Sequence, residues 1–335
     1  MQLNELSCLP PGLLDTPANE LAALLGGPTL IHLPGRRPQP LFVTVLLHGN
    51  ETSGFDALVH VLRNYANREL PRAMSIFVGN VAAARAGVRS LPDQPDYNRV
   101  WPGTETPQRP EAGLMAEVIA RMRIRQPFAS IDLHNNTGIN PHYSCVVALD
   151  APSLQLARLF SRLAVLFHRP LGVQARAAHA LCPAVTVECG KVGIGQGAEH
   201  AAQFVEAALH LSHFPPGAPA PGDLELLHTV AIVKVPAHAS FSFDGSAADF
   251  RFRGDLDHFN FRELAAGTSL GHANPSGVPD LLVEAADSGA SLPGLIDCRD
   301  GEVRLTRALW PSMFTTDPLA VRNDCLCYLM ERIGY

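Results

Sequence analysis

The run Leu41-Phe-Val-Thr-Val-Leu-Leu47 leads straight into His48-Gly-Asn-Glu51. Seven residues without a charge, rich in β-branched and large aliphatic side chains, read as a strand buried on both faces, as in the middle of a parallel sheet. In open α/β sheets the ligand-binding crevice lies at the carboxyl ends of the strands. A histidine and a carboxylate arriving there, three residues apart, can be aimed at one point. A second strand-like run, Ser130-Ile-Asp-Leu-His134, also ends on a histidine. Two imidazoles and one carboxylate form a three-ligand zinc set with an open fourth position, the kind that activates a water for attack on a carbonyl. The spacing H-x-x-E also fits a solvated pair at a helix start. Placement after a buried strand, with Gly49 and Gly54 around it, favours the metal reading over that one.

Working outward, strand-like and helix-like segments alternate. Phe55, Leu58, Val59, Leu62 and Tyr65 recur at helical spacing. Ser75 to Val81 reads as a strand, Met115 to Met122 as a helical face, and Phe128 to His134 and His142 to Leu149 as strands. Leu156, Leu159, Phe160, Leu163 and Phe167 read as one helix. Ala184-Val-Thr-Val-Glu188 reads as a strand and residues 197–212 as a helix. Such alternation predicts an α/β fold, a mixed and mostly parallel sheet flanked by helices. The Pro- and Gly-rich stretch 214–222 then acts as a stiff connector. Beyond it short β-rich runs appear, at Thr229–Val235, Ser240–Phe243, Leu281–Glu284 and Glu302–Leu305. The expected division is a catalytic domain over residues 1–213 and a smaller C-terminal β domain over 223–335.

Composition narrows the class of partner. The chain has 335 residues, 47% hydrophobic and 17% charged, which favours a large core. Its net charge of -6 and pI near 6.1 argue against nucleic acid, whose phosphates need a dense basic surface. No apolar run approaches the roughly 18 residues that span a bilayer, and residues 1–8 lack the features of a secretory leader. The expectation is a cytoplasmic protein with no membrane partner, and a homo-oligomer is left open. Seven scattered cysteines fit reduced thiols better than a disulfide framework. Cys325 and Cys327 are too close together for a zinc knuckle.

Four further groups carry chemistry. Asp132, two residues before His134 on the same strand face, is placed to orient that histidine or to serve the backbone. Asn135, with Asn136 and Thr137, is a turn former or a substrate hydrogen-bonder. Glu188 is a carboxylate at a strand end among core residues; an unpaired buried carboxylate is costly, so it is either a general base or half of a salt bridge. The loop from Arg89 to Trp101 holds Asn98 and Arg99. The guanidinium fork suits a carboxylate, although an ordinary surface loop has arginines too. His258, close to Asp255 and Asp257, reads as a solvated turn more readily than as a second metal site.

Together these pieces resemble the succinylglutamate desuccinylase/aspartoacylase family, a branch of the zinc carboxypeptidases. Its motifs stand here in order as His48-Gly-Asn-Glu51, Asn98-Arg99, Asp132-Leu-His-Asn135 and Glu188-Cys-Gly190. The likeness spans about residues 40 to 240. It implies a zinc carboxypeptidase-like fold, one Zn2+ per chain on His48, Glu51 and His134, and Glu188 as general base. Asn98 and Arg99 would hold a substrate carboxylate, Arg89 would polarise the scissile carbonyl, and Asn135 and Arg176 would assist binding. Val81 departs from the family's usual proline. The tyrosine often lent by the family's C-terminal domain has no clear match, since Tyr328, the nearest, sits in a tail that reads as helical.

The function expected from residues and resemblance is a zinc-dependent amidohydrolase that deacylates a small N-acyl amino acid or a related carboxylate-bearing amide. A metallocarboxypeptidase or cell-wall-peptide amidase is the rival enzyme, and a non-catalytic binder of small carboxylates is the rival of another class.

Overall fold

A computed structural model describes residues 2–220, 222–274 and 280–335. In chain order the first strands are β1 (Asn4–Leu6), β2 (Thr29–Leu33), β3 (Gly35–Val45), β4 (Leu70–Val78), β5 (Ala129–Asn136), β6 (Tyr143–Val146), β7 (Leu163–Leu166), β8 (Ala184–Lys191) and β9 (Glu225–Lys234). They continue as β10 (Phe241–Ser242), β11 (Phe250–Phe252), β12 (Ser269–Ala273), β13 (Leu282–Ala285), β14 (Ile296–Arg299), β15 (Glu302–Leu305), β16 (Trp310–Ser312) and β17 (Cys327–Arg332). The helices are α1 (Leu21–Leu25), α2 (Ser53–Asn64), α3 (Val81–Ala86), α4 (Pro110–Arg125), α5 (Ala151–Phe160), α6 (Gln174–His179), α7 (Gly195–His210) and α8 (Pro318–Asn323).

The main sheet runs β1-β2-β4-β3-β5-β8-β6-β7-β9-β17-β16, with β13 on β9. Six of its neighbour pairs are parallel, β3 being parallel to both β4 and β5. This is the mixed, mostly parallel sheet expected. On one face α2, α5 and α7 pack Phe55, Leu58, Leu156, Phe160, Phe204 and Val205 into a core with Val43 and Ile131. On the other, α4 brings Met115, Val118 and Met122 against Phe42, Phe77 and Trp101. Both layers exist because β3 is uncharged and fully buried at every position from Leu41 to Val45, so each face needs a cover. A second, five-stranded sheet, β10-β11-β12-β15-β14, has its own core around Phe250, Phe252, Leu270 and Val303. Strands β9, β13, β16 and β17, from beyond the Pro/Gly connector, pair into the main sheet instead.

Three local expectations are corrected. The strand at Ser75 ends at Val78, and Val81 opens α3, because the Asn80 side chain accepts a hydrogen bond from the Ala83 N–H and caps that helix. Leu163 and Phe167 do not continue α5. The chain turns at Ser161, and Leu163–Leu166 becomes a strand pairing with β6 and β9. The tail around Tyr328 is strand β17, antiparallel to β9, because tertiary pairing overrides its helix-like spacing.

Candidate active site

His48 leaves β3 through a turn that two glycines permit. Leu46 adopts a left-handed backbone (φ 55°), and the Asn80 N–H donates to its carbonyl at 2.6 Å. A Cβ on Gly49 would stand 2.2 Å from the Ala83 carbonyl carbon, and one on Gly54 2.6 Å from Leu133 Cβ. Only glycine lets the loop lie this close to α3 and β5, and that closeness brings Glu51 to His134.

All three expected metal ligands are buried and converge. His48 Nδ1 lies 2.8 Å from Glu51 Oε1, and His134 Nδ1 lies 2.8 Å from Glu51 Oε2. The two Nδ1 atoms are 3.2 Å apart. On the far side of each ring, His48 Nε2 is 2.8 Å from Asp96 Oδ1, and His134 Nε2 is 2.9 Å from Asp132 Oδ2. Each ring therefore stands between two carboxylates, its Nε2 edge anchored by Asp96 or Asp132 and its Nδ1 edge turned to Glu51. With Nε2 donating outward, the two Nδ1 atoms and the Glu51 carboxylate converge on one point. A cation satisfies that set, and two nitrogens with one oxygen ligand suit Zn2+. Asp132 is itself held by the Thr44 hydroxyl and by Thr186 Oγ1 at 3.3 Å, which places its carboxylate against the His134 ring.

The charges follow from these contacts. Burial alone would raise the Glu51 carboxyl, but the His48 and His134 rings hold it far below the carboxylate range. Burial likewise opposes ionisation of Asp96, and His48, Arg89 and Arg99 together outweigh it. Glu188 goes the other way. Burial, with the negative charges of Glu51 and Asp132 and against the pull of His134 and Arg89, pushes its carboxyl up to about 8. Its Oε2 is buried and has no hydrogen-bond partner. The salt-bridge alternative considered for Glu188 is therefore not what the structure shows.

The pocket is lined by His48, Glu51, Arg89, Asn98, Arg99, His134, Asn135 and Glu188 on one side. Some of these do other work than expected. Arg89 grips Asp96 Oδ2 through Nε and Nη2, at 3.1 and 2.8 Å, leaving Nη1 3.5 Å from Glu51 Oε1. Arg99 stands 3.8 Å from Asp324 and 4.0 Å from Asp96, both loose pairings. The Asn98 amide is occupied: its Oδ1 accepts from the Gln174 N–H at 2.8 Å, and its Nδ2 lies 3.1 Å from His134 Nε2. Asn135 is spent on Ser53 and on the Gly190 carbonyl, so its side chain braces the β5 turn against β8. Arg176 is not brought to the pocket at all. Its guanidinium donates to the carbonyls of Phe167 and His168.

Sequence reasoning missed Asp96, Asp324, Arg169 and the presence of Tyr328. Asp96 was visible inside Asp-Tyr-Asn-Arg, but nothing in its spacing tied it to His48. Tyr328 and Asp324 line the pocket because β17 pairs with β9. Asp255, near His258, is engaged by Arg253, and among the described residues His48, Glu51 and His134 form the metal-competent cluster. All seven cysteines are free thiols.

The catalytic-domain model of the succinylglutamate desuccinylase/aspartoacylase family matches residues 39–214, just over half of the chain, and the chain belongs to that family. Solved structures support the same fold. A succinylglutamate desuccinylase from Chromobacterium violaceum shares 18% identity at TM-score 0.58, over 90% of this chain and 86% of that one. A succinylglutamate desuccinylase/aspartoacylase from Rhodobacter sphaeroides shares 16% at 0.59, over 90% and 88%. Murine aminoacylase 3 shares 15% at 0.58, over 89% and 96%. No curated protein matches the chain. No helix among the described residues is long and apolar enough to cross a membrane.

Proposed function

We propose that the protein is a zinc-dependent hydrolase that cleaves the amide bond of a small N-acyl amino acid or related carboxylate-bearing amide. The observation that carries this reading is Glu188: a buried carboxylate with an unpartnered oxygen, in the same pocket as the convergent His48, Glu51 and His134. Burial raises this carboxyl above its ordinary range, which favours its accepting a proton.

His48, Glu51 and His134 would hold the ion, with Asp96 and Asp132 keeping both rings in the tautomer that ligation needs. Zinc bound there would polarise the scissile carbonyl and lower the pKa of the attacking water. Glu188 takes the proton from that water and returns it to the leaving amine. Arg89 is pinned by Asp96 on two nitrogens, so Nη1, whose contact with Glu51 is long at 3.5 Å, is the one that would donate to developing negative charge on the carbonyl oxygen. Arg99 exchanges its long contact with Asp324 for the substrate carboxylate, which fixes orientation. Asn98 acts by bracing the start of α6 through its Oδ1 and the Asp132 carboxylate through its Nδ2, rather than by touching substrate.

Asp324, beside β17, and Tyr328, on it, add to the pocket lining from the C-terminal strands. A pocket bordered in this way supports small substrates over extended peptides. The test is release of primary amine from a panel of N-acyl amino acids and short peptides by zinc-loaded protein. Turnover of N-acyl amino acids that survives complete chelation would sink the metal mechanism, and turnover confined to peptides would transfer the protein to the peptidase reading.

A further inference from the structure

The face of the main sheet that carries the site continues past it. Residues paired in register project to the same face. Thr44, Asp132, Thr186, Cys145, Val165 and Leu227 form one such row across β3, β5, β8, β6, β7 and β9. His134, Glu188 and Tyr143 form the next. The first half of the long row is a hydrogen-bonded polar ladder beneath the metal ligands. The second half, from Cys145 on, has no charge.

The pocket follows that change. Beyond Glu188 it is walled by Tyr143, Cys145, Val165, Phe167, Thr229 and Met313. Thr229 is 2% exposed, and its hydroxyl has no partner. The Tyr143 hydroxyl meets only the Met313 sulfur at 3.3 Å, a weak acceptor. Among the described residues, no cation at this end lacks a partner. Arg176 is turned to backbone carbonyls, and Arg169, which also borders the pocket, is already met by Glu105 at 2.5 Å. A carboxylate placed here would be desolvated without a partner and close to Glu188, both unfavourable.

We propose that this end of the pocket is the acyl subsite, and that it takes an uncharged acyl group with an apolar body and a polar tip that meets Thr229, in place of a dicarboxylic acyl group. The word acyl rests on the deacylase reading; the uncharged character of the subsite does not.

The experiment keeps the amino-acid half constant and varies the acyl half on zinc-loaded protein: benzoyl, 4-hydroxybenzoyl and isobutyryl against succinyl. The uncharged groups should exceed succinyl in kcat/KM by about 100-fold, the scale set by burying an unpaired charge. Thr229→Val, nearly isosteric, should cost about 10-fold for whichever acyl group carries the polar tip and leave its plain counterpart within about 2-fold. Succinyl at parity or better would overturn the proposal, as would a Thr229→Val effect that ignores the tip. A second readout separates this from failure of the deacylase reading. Glu188→Gln protein should be stabilised against heat by benzamide more than by succinamate at equal concentration. That order, found without turnover of any N-acyl amino acid, would keep the uncharged subsite and discard the deacylase; the reverse order would discard the subsite.

Discussion

His48 and His134 are given the same support by two different parts of the molecule. Each ring presents Nδ1 to Glu51 and Nε2 to a carboxylate at 2.8–2.9 Å. For His134 that carboxylate is Asp132, two residues earlier on β5, fully buried and bonded to Thr44 and Thr186 of the flanking strands. For His48 it is Asp96, from an irregular loop 48 residues away, partly exposed and steadied by Arg89 and by the Asn98 N–H. One support is built into the sheet; the other is clamped on by charge. The difference teaches that equal geometry at a site can rest on unequal foundations. The sheet-borne carboxylate is coupled to folding, and the loop-borne one to Arg89 and Arg99, which also line the pocket.

The largest effect tests the site that both supports serve. Glu188→Gln should retain zinc and lose on the order of 10³-fold in kcat, read by amine release alongside metal analysis. Retained activity would remove Glu188 from the mechanism and leave the two supported histidines serving some other chemistry. Next, Asp96→Asn and Asp132→Asn should each weaken zinc by roughly 10–100-fold in a competition titration. Affinity unchanged in either would break the parallel.

Stability should then separate the two carboxylates. Asp132→Asn disturbs a buried hub with two hydroxyl donors, and about 1–3 kcal/mol is expected in denaturant unfolding of the metal-free protein. Asp96→Asn, at the pocket edge, should cost less in unfolding and more in KM, because Arg89 and Arg99 lose their counter-charge. Equal losses would show that the loop is as integral to the fold as the sheet.

A further effect is one of pH. Glu188 is held at about 8 in the folded chain against an ordinary 4.5. Between those values the folded state binds more protons than the unfolded one, so this group's contribution to stability is lost as pH rises through that window. Metal-free Glu188→Gln should lack this component of the decline, and an unchanged pH slope in unfolding titrations would mean that the carboxyl is not raised.

Much of the site was legible because its parts are local to strands. His48 and Glu51 follow an uncharged run, Asp132 and His134 share a strand face, and Glu188 ends a β-branched segment. Period-two alternation and strand-end position are properties of a few residues and survive in sequence. The errors lay where pairing decided the outcome. Leu163 to Phe167 carry helical spacing after α5, yet they supply the strand that bridges β6 and β9. Arg176 looked available as an anion binder, but two backbone carbonyls claim its guanidinium. Asn98 and Asn135 looked like substrate donors; burial commits their amides to the scaffold.

The sequence by itself determined the mixed sheet and the family, and it marked His48, Glu51, His134 and Glu188 as strand-end groups, because each depends on residue type and short spacing. Tertiary structure alone decided that Asp96 reaches His48, that Tyr328 and Asp324 line the pocket, and that the Thr229 hydroxyl is left without a partner at its uncharged end. The physical reason is common to all three. Each depends on the path of a loop or on the pairing of β9 with β7 and β17, contacts between segments dozens of residues apart that no local pattern encodes.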